Sequence, residues 1–304
     1  MADTTTAPHA VCVFAVRRGR GPDLPPELSG HEGGGPLRLI PVSALWAVVQ
    51  DVPADTYSEE SLHGRLSEPA TLERCVRAHH AVVTAFAARG AAVPLPLATL
   101  FHSQERARTA LLAHAPRFER GLARIAGRAE WAVKVNLLAT SAPSPEPTTA
   151  ATPASAPGPA TGRAYLTRLR DRGQAREQRR ERAVQAAELL DRAVLSLADA
   201  TVRRRPHSAE VTGRDRAQIM NAAYLVPEGR DAELLALVEQ LRAAPEFQGS
   251  EVEITGPWVP YSFVDAASFT EVAGSPGDRP TTTAEPHDRG PHETVPQDAA
   301  GSRA

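Results

Sequence analysis

The sequence predicts an α+β protein of two domains, the second of them ferredoxin-like, followed by a disordered C-terminal tail. From Trp131 onward the predicted elements run strand, helix, strand, strand, helix, strand, which is the βαββαβ order of the ferredoxin-like fold with a long first helix. Before that point, short apolar strands precede helical patterns, as in a separate α+β domain. We therefore place an N-terminal domain at 1–128 and the ferredoxin-like domain at 129–264. The tail at 265–304 is rich in proline, glycine, threonine and charge.

Three short apolar runs predict the strands of the N-terminal domain: Val11–Val16, Leu37–Val42 and Leu45–Val49. Only two residues separate the second run from the third, so these two are expected to form a hairpin. Pro41 cannot donate a hydrogen bond to a neighbouring strand, which places its strand at a sheet edge. The glycine- and proline-rich stretch after the first strand is expected to be a loop.

Helical patterns follow the hairpin. In Thr71–Arg89 the large apolar positions have helical spacing. These positions are Leu72, Val76, Val83 and Phe86. VPLPLATLF, residues 93–101, is expected to be extended because its prolines exclude a helix, and Pro116 is expected to kink or split the last helix of the domain. The predicted helices are Ser58–Leu66, Thr71–Arg89 and Ser103–Ile125.

The predicted ferredoxin-like domain begins with Trp131–Leu137, in which apolar residues alternate with small or polar ones. Residues 141–160 contain six prolines and six alanines, so they are expected to form a flexible insertion rather than a packed core. The helix Tyr165–Thr201 carries an apolar seam in its second half. The seam residues are Ala183, Ala187, Leu190, Val194 and Leu197. The remaining predicted elements are the strand Pro206–Val211, the strand Ala217–Val226, the helix Asp231–Ala244 and the strand Glu251–Thr255.

The decapeptide TGPWVPYSFV, residues 255–264, concentrates aromatic side chains in a chain with only three Trp, four Tyr and seven Phe. Its two prolines stiffen it in an extended conformation. Fully burying Trp258, Tyr261 and Phe263 is worth about 5–9 kcal/mol, against a net domain stability of about 5–15 kcal/mol. We therefore expect all three side chains to be hidden from water, as a strap over the protein's own domains or under a partner. Carbohydrate or base stacking is the remaining alternative.

Composition and charge exclude several classes of protein. The N-terminus has no basic region followed by an apolar core, and no apolar run reaches the about 20 residues that span a bilayer. We therefore expect a soluble, cytoplasmic protein. The net charge of −2 does not point to a nucleic acid or a membrane. Cys12 and Cys75 form neither a disulfide framework nor a zinc pattern, and both are expected to be buried thiols.

No pattern in the sequence predicts a reaction centre. The ten histidines form no H-E-x-x-H motif and no Cys/His cluster with ligand spacing. Glu130 and Lys134 share a strand face, where a surface or interface ion pair is expected rather than an acid–base couple. We therefore expect no enzyme activity, and no catalytic, cofactor-binding or metal-binding residues.

The alternative that the sequence leaves open is an Arg-rich, ferredoxin-like nucleic-acid-binding protein. Residues 163–182 contain eight arginines and three acidic residues, and ferredoxin-like sheets can bind RNA. Arginine is general in this chain, however, because Lys134 is the only lysine among 34 basic residues. The predicted inner strand AQIMNAAYLV offers only Tyr224 for base stacking. A solvated helix face with local ion pairs, or a docking surface for another protein, explains the arginines better.

Several segments resemble, in order along the chain, the gas vesicle GvpL/GvpF family. TGPWVPYSFV resembles the C-terminal signature of that family, NAAYLV at 221–226 matches one of its strands, and GRAYLTRLR at 162–170 resembles its GxxYL helix start. The resemblance covers roughly 10–264. It therefore spans most of the chain outside the tail.

Two further segments resemble the family with substitutions. EWAVKV at 130–135 resembles its EWGVKV strand, with Ala132 in place of glycine. VPLPLATLF at 93–101 resembles its PLRFGTVF segment, but residues 96–98 are Pro, Leu and Ala where the family has Arg, Phe and Gly. Any role of that arginine is not carried over to this chain.

The resemblance implies a non-enzymatic accessory protein that is a minor component of gas vesicles, located in the cytoplasm. The implied partners are the hydrophobic shell protein, whose aggregation it would limit during nucleation and assembly, and other gas vesicle accessory proteins. No nucleic acid, lipid membrane, small-molecule substrate or cofactor is implied. We expect the contact region to be a groove between the domains, lined by VPLPLATLF and the aromatic segment. The family-motif or candidate partner-contact residues are Leu95, Pro96, Phe101, Tyr165, Leu166, Asn221, Tyr224, Gly256, Pro257, Trp258, Pro260, Tyr261 and Phe263.

Overall fold

The computed structural model describes residues 9–88, 90–138, 159–206 and 217–264. All of them fall within one compact unit, Met1–Ala273. In this part of the chain the structure is α+β, with two antiparallel sheets and six α-helices. The expectations for residues 141–158 and for the tail at 265–304 lie outside the described residues. The domain boundary at 128/129 stays a prediction.

Five strands make up the first sheet: β1 (His9–Arg18), β2 (Leu37–Val42), β3 (Leu45–Pro53), β4 (Ala92–Pro94) and β5 (Leu100–Phe101). The strand order is β2-β3-β1-β4, and β5 also pairs with β1. From Ala10 to Arg17 every residue of β1 is buried, because apolar clusters cover both faces of this central strand. Pro41 lies in the edge strand β2, as predicted. The hairpin of β2 and β3 is also confirmed.

Four helices accompany this sheet: α1 (Glu59–Ser67), α2 (Pro69–Ala87), α3 (Gln104–Ala113) and α4 (Ala115–Ile125). The Ser58 and Ser103 hydroxyl oxygens cap α1 and α3 by accepting hydrogen bonds from backbone amides, at 3.3 and 3.2 Å. The predicted helix Ser103–Ile125 is split at His114. Pro116 lies in the first turn of α4, where its missing N–H costs no hydrogen bond.

The second sheet contains β6 (Arg128–Leu137), β7 (Ala200–Arg203), β8 (Ala217–Pro227) and β9 (Ser250–Trp258), and it is accompanied by α5 (Pro159–Leu195) and α6 (Asp231–Arg242). The strand order is β7-β8-β6-β9, with every pairing antiparallel. The alternation predicted for β6 is confirmed from Trp131 to Val135, because Trp131, Val133 and Val135 all pack into the cluster beneath α5 and α6. It ends at a register shift after Val135, where Asn136 is buried and Leu137 is half-buried. None of the helices in the described ranges is long and apolar enough to cross a membrane.

The short strand β7 corrects the predicted end of the long helix. The sequence placed the end of the long helix at Thr201 and a strand at Pro206–Val211. The helix instead begins at Pro159, inside the predicted insertion, and ends at Leu195. β7 then pairs with β8 at Ala200–Arg203, because the β-branched residues of this segment fit a pleated sheet and the Asp199 amide donates to the Leu225 carbonyl at 2.8 Å. Residues 207–211 lie outside the described residues.

Three apolar clusters hold these layers together. One, which includes Phe14 and Phe86, lies between α2 and the first sheet. Another, which includes Leu190, lies between the second sheet and its two helices. The third combines Val13 of the first sheet with Leu225 of the second, so the two sheets share a buried core.

Candidate functional site

The strap, residues 256–264, begins in the last residues of β9 and folds back over the start of β6. Glu130 of β6, which is only 4% exposed, holds it in place. The Ser262 amide donates to Glu130 Oε2 at 2.8 Å, and the Ser262 hydroxyl donates to Oε1 at 2.7 Å. Arg204 Nη2 donates to the same Oε1 at 2.9 Å, so the buried carboxylate faces a cation. The sequence suggested Lys134 as the partner of Glu130; the structure gives it Arg204 and Ser262 instead.

The last residues of the strap belong to the core. Phe263 is 3% exposed and lies in one cluster with Leu95, Phe101 and Leu122. Leu95, Phe101 and Phe263, which were expected to line a groove between VPLPLATLF and the strap, therefore lie in the core. The structure does bring Leu95, Phe101 and Phe263 together, but as buried neighbours that a partner does not reach.

Trp258, near the other end of the strap, is 44% exposed. Its indole ring meets the His80 imidazole edge-on, with the ring centroids 5.5 Å apart, and the Tyr261 ring lies 6.1 Å from the same imidazole. Tyr261 is half-buried, and burial raises the pKa of its hydroxyl. The expected strap over the protein's own domains therefore covers Phe263 fully and Tyr261 in part. It leaves Trp258 exposed, so for this residue the alternative of cover by a partner stays a prediction.

The exposed indole continues an apolar stripe on α2. Leu72, Val76 and His80 follow one another at four-residue intervals, so they lie along one side of the helix. Leu72 is 37% exposed and Val76 is 46% exposed. Because His80 packs against Trp258, the stripe and the indole form one surface. We call these four residues the docking face.

Helical spacing alone could not separate the docking face from the core. It put Leu72 and Val76 in one set with Val83 and Phe86, yet only Val83 and Phe86 are buried. The two exposed residues come from the first half of α2. The contact with Trp258 joins residues far apart in the chain, and no local sequence signal reports it.

Two other predicted contact residues, Asn221 and Tyr224, are buried in β8. The Tyr224 hydroxyl donates to Asp191 Oδ1 at 2.5 Å, and Arg203 Nη2 donates to the other carboxylate oxygen. Burial, followed by the bond to Asp191, raises the pKa of Tyr224. The Asn221 carbonyl accepts a hydrogen bond from the Arg204 amide at 2.8 Å. The Tyr224 side chain and the Asn221 backbone therefore stabilise the second sheet, and neither buried side chain lies on a surface that a partner could contact.

The remaining predicted residues are scattered over the surface. Tyr165 and Leu166 lie near the start of α5 and are 64% and 53% exposed. They belong to a stretch, residues 163–182, that we call the arm. The proline and glycine residues of the motifs vary in exposure: Pro96 and Gly256 are half-buried, Pro257 is exposed, and Pro260 is buried.

The described ranges contain no group of three or more His, Cys, Asp or Glu side chains placed to hold a metal ion. Cys12 is buried, as expected, whereas Cys75 is only half-buried; both are free thiols. The arrangement around Trp258 therefore offers apolar contact area rather than converging reactive groups.

Comparison with known proteins identifies the family. The family model described as gas vesicle synthesis protein GvpL/GvpF matches residues 10–265, which include the docking face, the strap and both sheets. The chain belongs to the GvpL/GvpF family. Membership supports a role related to gas vesicles, and it agrees with the resemblance carried by the sequence motifs.

Named relatives agree with GvpL/GvpF membership. Gas vesicle protein L of Streptomyces sp. (strain CB03234) is 36% identical over 255 residues, covering 84% of this chain and 92% of the relative. Gas vesicle protein L1 of Halobacterium salinarum (strain ATCC 700922 / JCM 11081 / NRC-1) is 26% identical over 239 residues, covering 75% and 80%.

Crystal structures of GvpF share the fold. The protein from Anabaena sp. PCC7120 is 16% identical, with a TM-score of 0.56 over 84% of this chain and 95% of the neighbour. The protein from Microcystis aeruginosa is 15% identical, with a TM-score of 0.56 over 84% and 98%.

Proposed function

We propose that this GvpL/GvpF protein is a cytoplasmic accessory protein and minor gas vesicle component needed for gas vesicle formation. It binds the hydrophobic shell protein, limits its aggregation during nucleation and assembly, and cooperates with other gas vesicle accessory proteins. Family membership and the names of the relatives support this role. The docking face supplies a physical means for it.

The observation that carries the proposal is the exposure of Trp258 on a fixed backbone. Trp258 is the last residue of β9, so the sheet fixes the backbone before it. The hydrogen bonds between Ser262 and Glu130 fix the backbone after it. An exposed Trp on a rigid segment loses little conformational entropy when it binds, and buried Trp residues are common anchors of protein interfaces. Leu72 and Val76 extend the anchor along α2. A shell subunit that has not yet joined its lattice would cover this surface with an apolar helix or strand.

We further interpret the second sheet as a ferredoxin-like domain, 129–264, beside an N-terminal domain. The order β7-β8-β6-β9, together with α5 between β6 and β7 and α6 between β8 and β9, supports this interpretation. The shared core around Val13 and Leu225 implies that the two domains move little relative to each other.

The alternative of a nucleic-acid-binding protein gains no support from the comparisons. An RNA-binding sheet needs exposed aromatic side chains on its inner strands. Here Trp131 of β6 and Tyr224 of β8 both face the cluster beneath α5 and α6 and are buried.

A co-expression pull-down tests the proposal, with the shell protein as bait and soluble shell protein as a second readout. Trp258→Ala should weaken capture about 30-fold, since an interface anchor of this kind contributes about 2 kcal/mol. Leu235→Ala removes an apolar side chain with the same 44% exposure from α6, away from the docking face, and serves as the matched control. It should leave capture unchanged. If Trp258→Ala stays folded by circular dichroism and captures shell protein as well as Leu235→Ala does, the docking face is not the contact surface.

A further inference from the structure

A cavity of about 840 Å³ lies in the N-terminal half of the molecule, apart from the docking face. The loop at 28–37, Gln50 of β3, and parts of α1 and α2 line it. α2 contributes Thr71, Arg74, Cys75 and Ala78, whose three- and four-residue spacing centres them on a different side of the helix from the docking face. The volume is within the range of about 300–1,000 Å³ that is typical of small-molecule sites.

The loop that walls the cavity is held in a fixed position. Gln50, which is 2% exposed, accepts a hydrogen bond from the His31 amide at 2.8 Å and donates to the carbonyls of His31 at 3.2 Å and Gly35 at 2.9 Å. At Gly34 a Cβ would lie 2.4 Å from Gln50 Nε2, so the loop can approach Gln50 only because a glycine stands there. The Tyr57 hydroxyl donates to the Glu32 carbonyl at 3.2 Å. The cavity is therefore a built feature of the fold.

Two arginines, Arg65 and Arg74, and one acidic residue, Glu32, line the cavity, so positive charge predominates. The Arg65 guanidinium lies 5.4 Å from the centre of the Tyr57 ring, and Arg74 Nη2 donates to the Thr71 hydroxyl at 2.9 Å. Neither guanidinium forms an ion pair with a side chain that the structure describes. Cavity-lining guanidiniums without a carboxylate partner favour an anionic ligand, because Arg binds carboxylate and phosphate groups in a bidentate manner.

His31, at the base of the loop, is a buried histidine whose pKa responds to burial and to the charge of Arg65. His31 is 4% exposed and stacks on Phe14 with a centroid distance of 5.1 Å. Burial, followed by the charge of Arg65, lowers the pKa of His31 to about 4, so the imidazole is neutral at neutral pH. Its ring nitrogens have no hydrogen-bond partner among the described residues. An anion placed next to Arg65 would offset the charge that acts on this ring.

We propose that this cavity binds a small organic anion, whose carboxylate or phosphate group sits between Arg65 and Arg74 and whose body packs against Tyr57, Leu28 and Leu37. The site is independent of shell-protein binding. It gives the protein a ligand-responsive region on the side of α2 that the docking face does not use. No chemical step is involved, so the ligand is bound and not converted.

Isothermal titration calorimetry of the full chain with pyrophosphate and with citrate tests this site and separates phosphate from carboxylate chemistry. At least one probe should bind saturably with one site per chain. Arg65→Gln and Arg74→Gln should each weaken that binding about tenfold or more, since each removes a charge-assisted bidentate contact. Arg77→Gln, which removes an exposed arginine paired with Glu73 on the same helix, is the matched control and should bind within about twofold of the parent chain.

Imidazole NMR localises the binding: the saturating probe should raise the pKa of His31 from about 4 because it brings negative charge towards the ring. The proposal is overturned if neither probe binds, if both glutamine variants bind like the parent chain, or if a hexaglutamate peptide binds more tightly than both small anions. If Arg65→Gln does not fold, the exposed Arg74 decides the outcome alone. Capture of shell protein by Arg74→Gln should be unchanged, so failure here is distinguishable from failure of the docking face.

Discussion

The strap and the arm both stand out in the sequence, and the fold treats them in opposite ways. In the strap, Phe263 and Val264 are buried and Glu130 binds the backbone and hydroxyl of Ser262. In the arm, every side chain from 165 to 178 is exposed. In an arginine-rich helix the backbone hydrogen bonds are made within the helix, and water solvates the charged side chains. Such a helix therefore needs no tertiary contact. The aromatic side chains of the strap, in contrast, gain stability only by packing against apolar neighbours.

The same rule operates within the single helix α5. The predicted seam is confirmed, because all five of its residues are buried. Ala183, Ala187, Leu190 and Val194 lie in the second half of α5, and Leu197 lies two residues beyond the end of the helix. The arm has no such seam, and it stays in water although the helix is continuous. Apolar periodicity, and not helix length, therefore decides which part of α5 is held by the fold.

The largest loss of stability that distinguishes the strap from the arm is expected at the buried end of the strap. Phe263→Ala removes a ring from the core cluster and should lower the free energy of unfolding by about 3–5 kcal/mol. The matched change in the arm is Leu169→Ala, at a side chain that is 53% exposed. It should cost less than about 0.5 kcal/mol. Urea denaturation followed by circular dichroism measures both values.

A conservative variant separates loss of packing from other effects at this position. Phe263→Leu keeps most of the apolar volume and should cost less than about 1.5 kcal/mol. Equal losses for Phe263→Ala and Leu169→Ala would show that the strap is no better packed than the arm.

A glycine substitution at the start of the strap should have the next largest effect. Gly256 has φ +153°, and an added Cβ would lie 2.8 Å from the Trp131 ring and 2.9 Å from the Glu130 carbonyl oxygen. Trp131 is 3% exposed and has no room to move away. We expect Gly256→Ala to cost about 2–4 kcal/mol in the same denaturation experiment. Gly64→Ala in α1, where a Cβ meets nothing within 4 Å, is the control. If Gly256→Ala lowers the free energy of unfolding by less than the measurement error, the strap can shift to accommodate the added methyl group.

The sequence predicted secondary structure correctly where apolar residues repeat at a regular spacing over several helical turns or along a strand. The alternation of β6 and the seam of α5 are such cases. β7 was missed because a four-residue edge strand is too short to show a period, and its pairing with β8 depends on the tertiary fold. The predicted long helix therefore wrongly included Ala200 and Thr201.

The site was predictable in outline but not in its contacts. Prolines and aromatics indicated a strap over the fold, and the burial of Phe263 confirms that part. Which aromatic faces outward depends on the backbone path after Gly256 and on the position of α2. The contact of Trp258 with His80 joins two predicted domains. The same reason explains why Leu95 and Phe101, chosen as contact residues, are core residues that the strap covers.

The smallest expected effect tests whether the arm is energetically separate from the fold. Gly173 lies in the arm, where an added Cβ meets nothing within 4 Å. Gly173→Ala should favour the local helix by up to about 1 kcal/mol, which slows amide hydrogen exchange near position 173 about three- to fivefold. The midpoint of global unfolding should not move, because exposed arm residues can open without disturbing the core. If instead the global free energy of unfolding rises by the full amount, the arm unfolds together with the core. It would then be held by the fold as the strap is, and the contrast between the two segments would disappear.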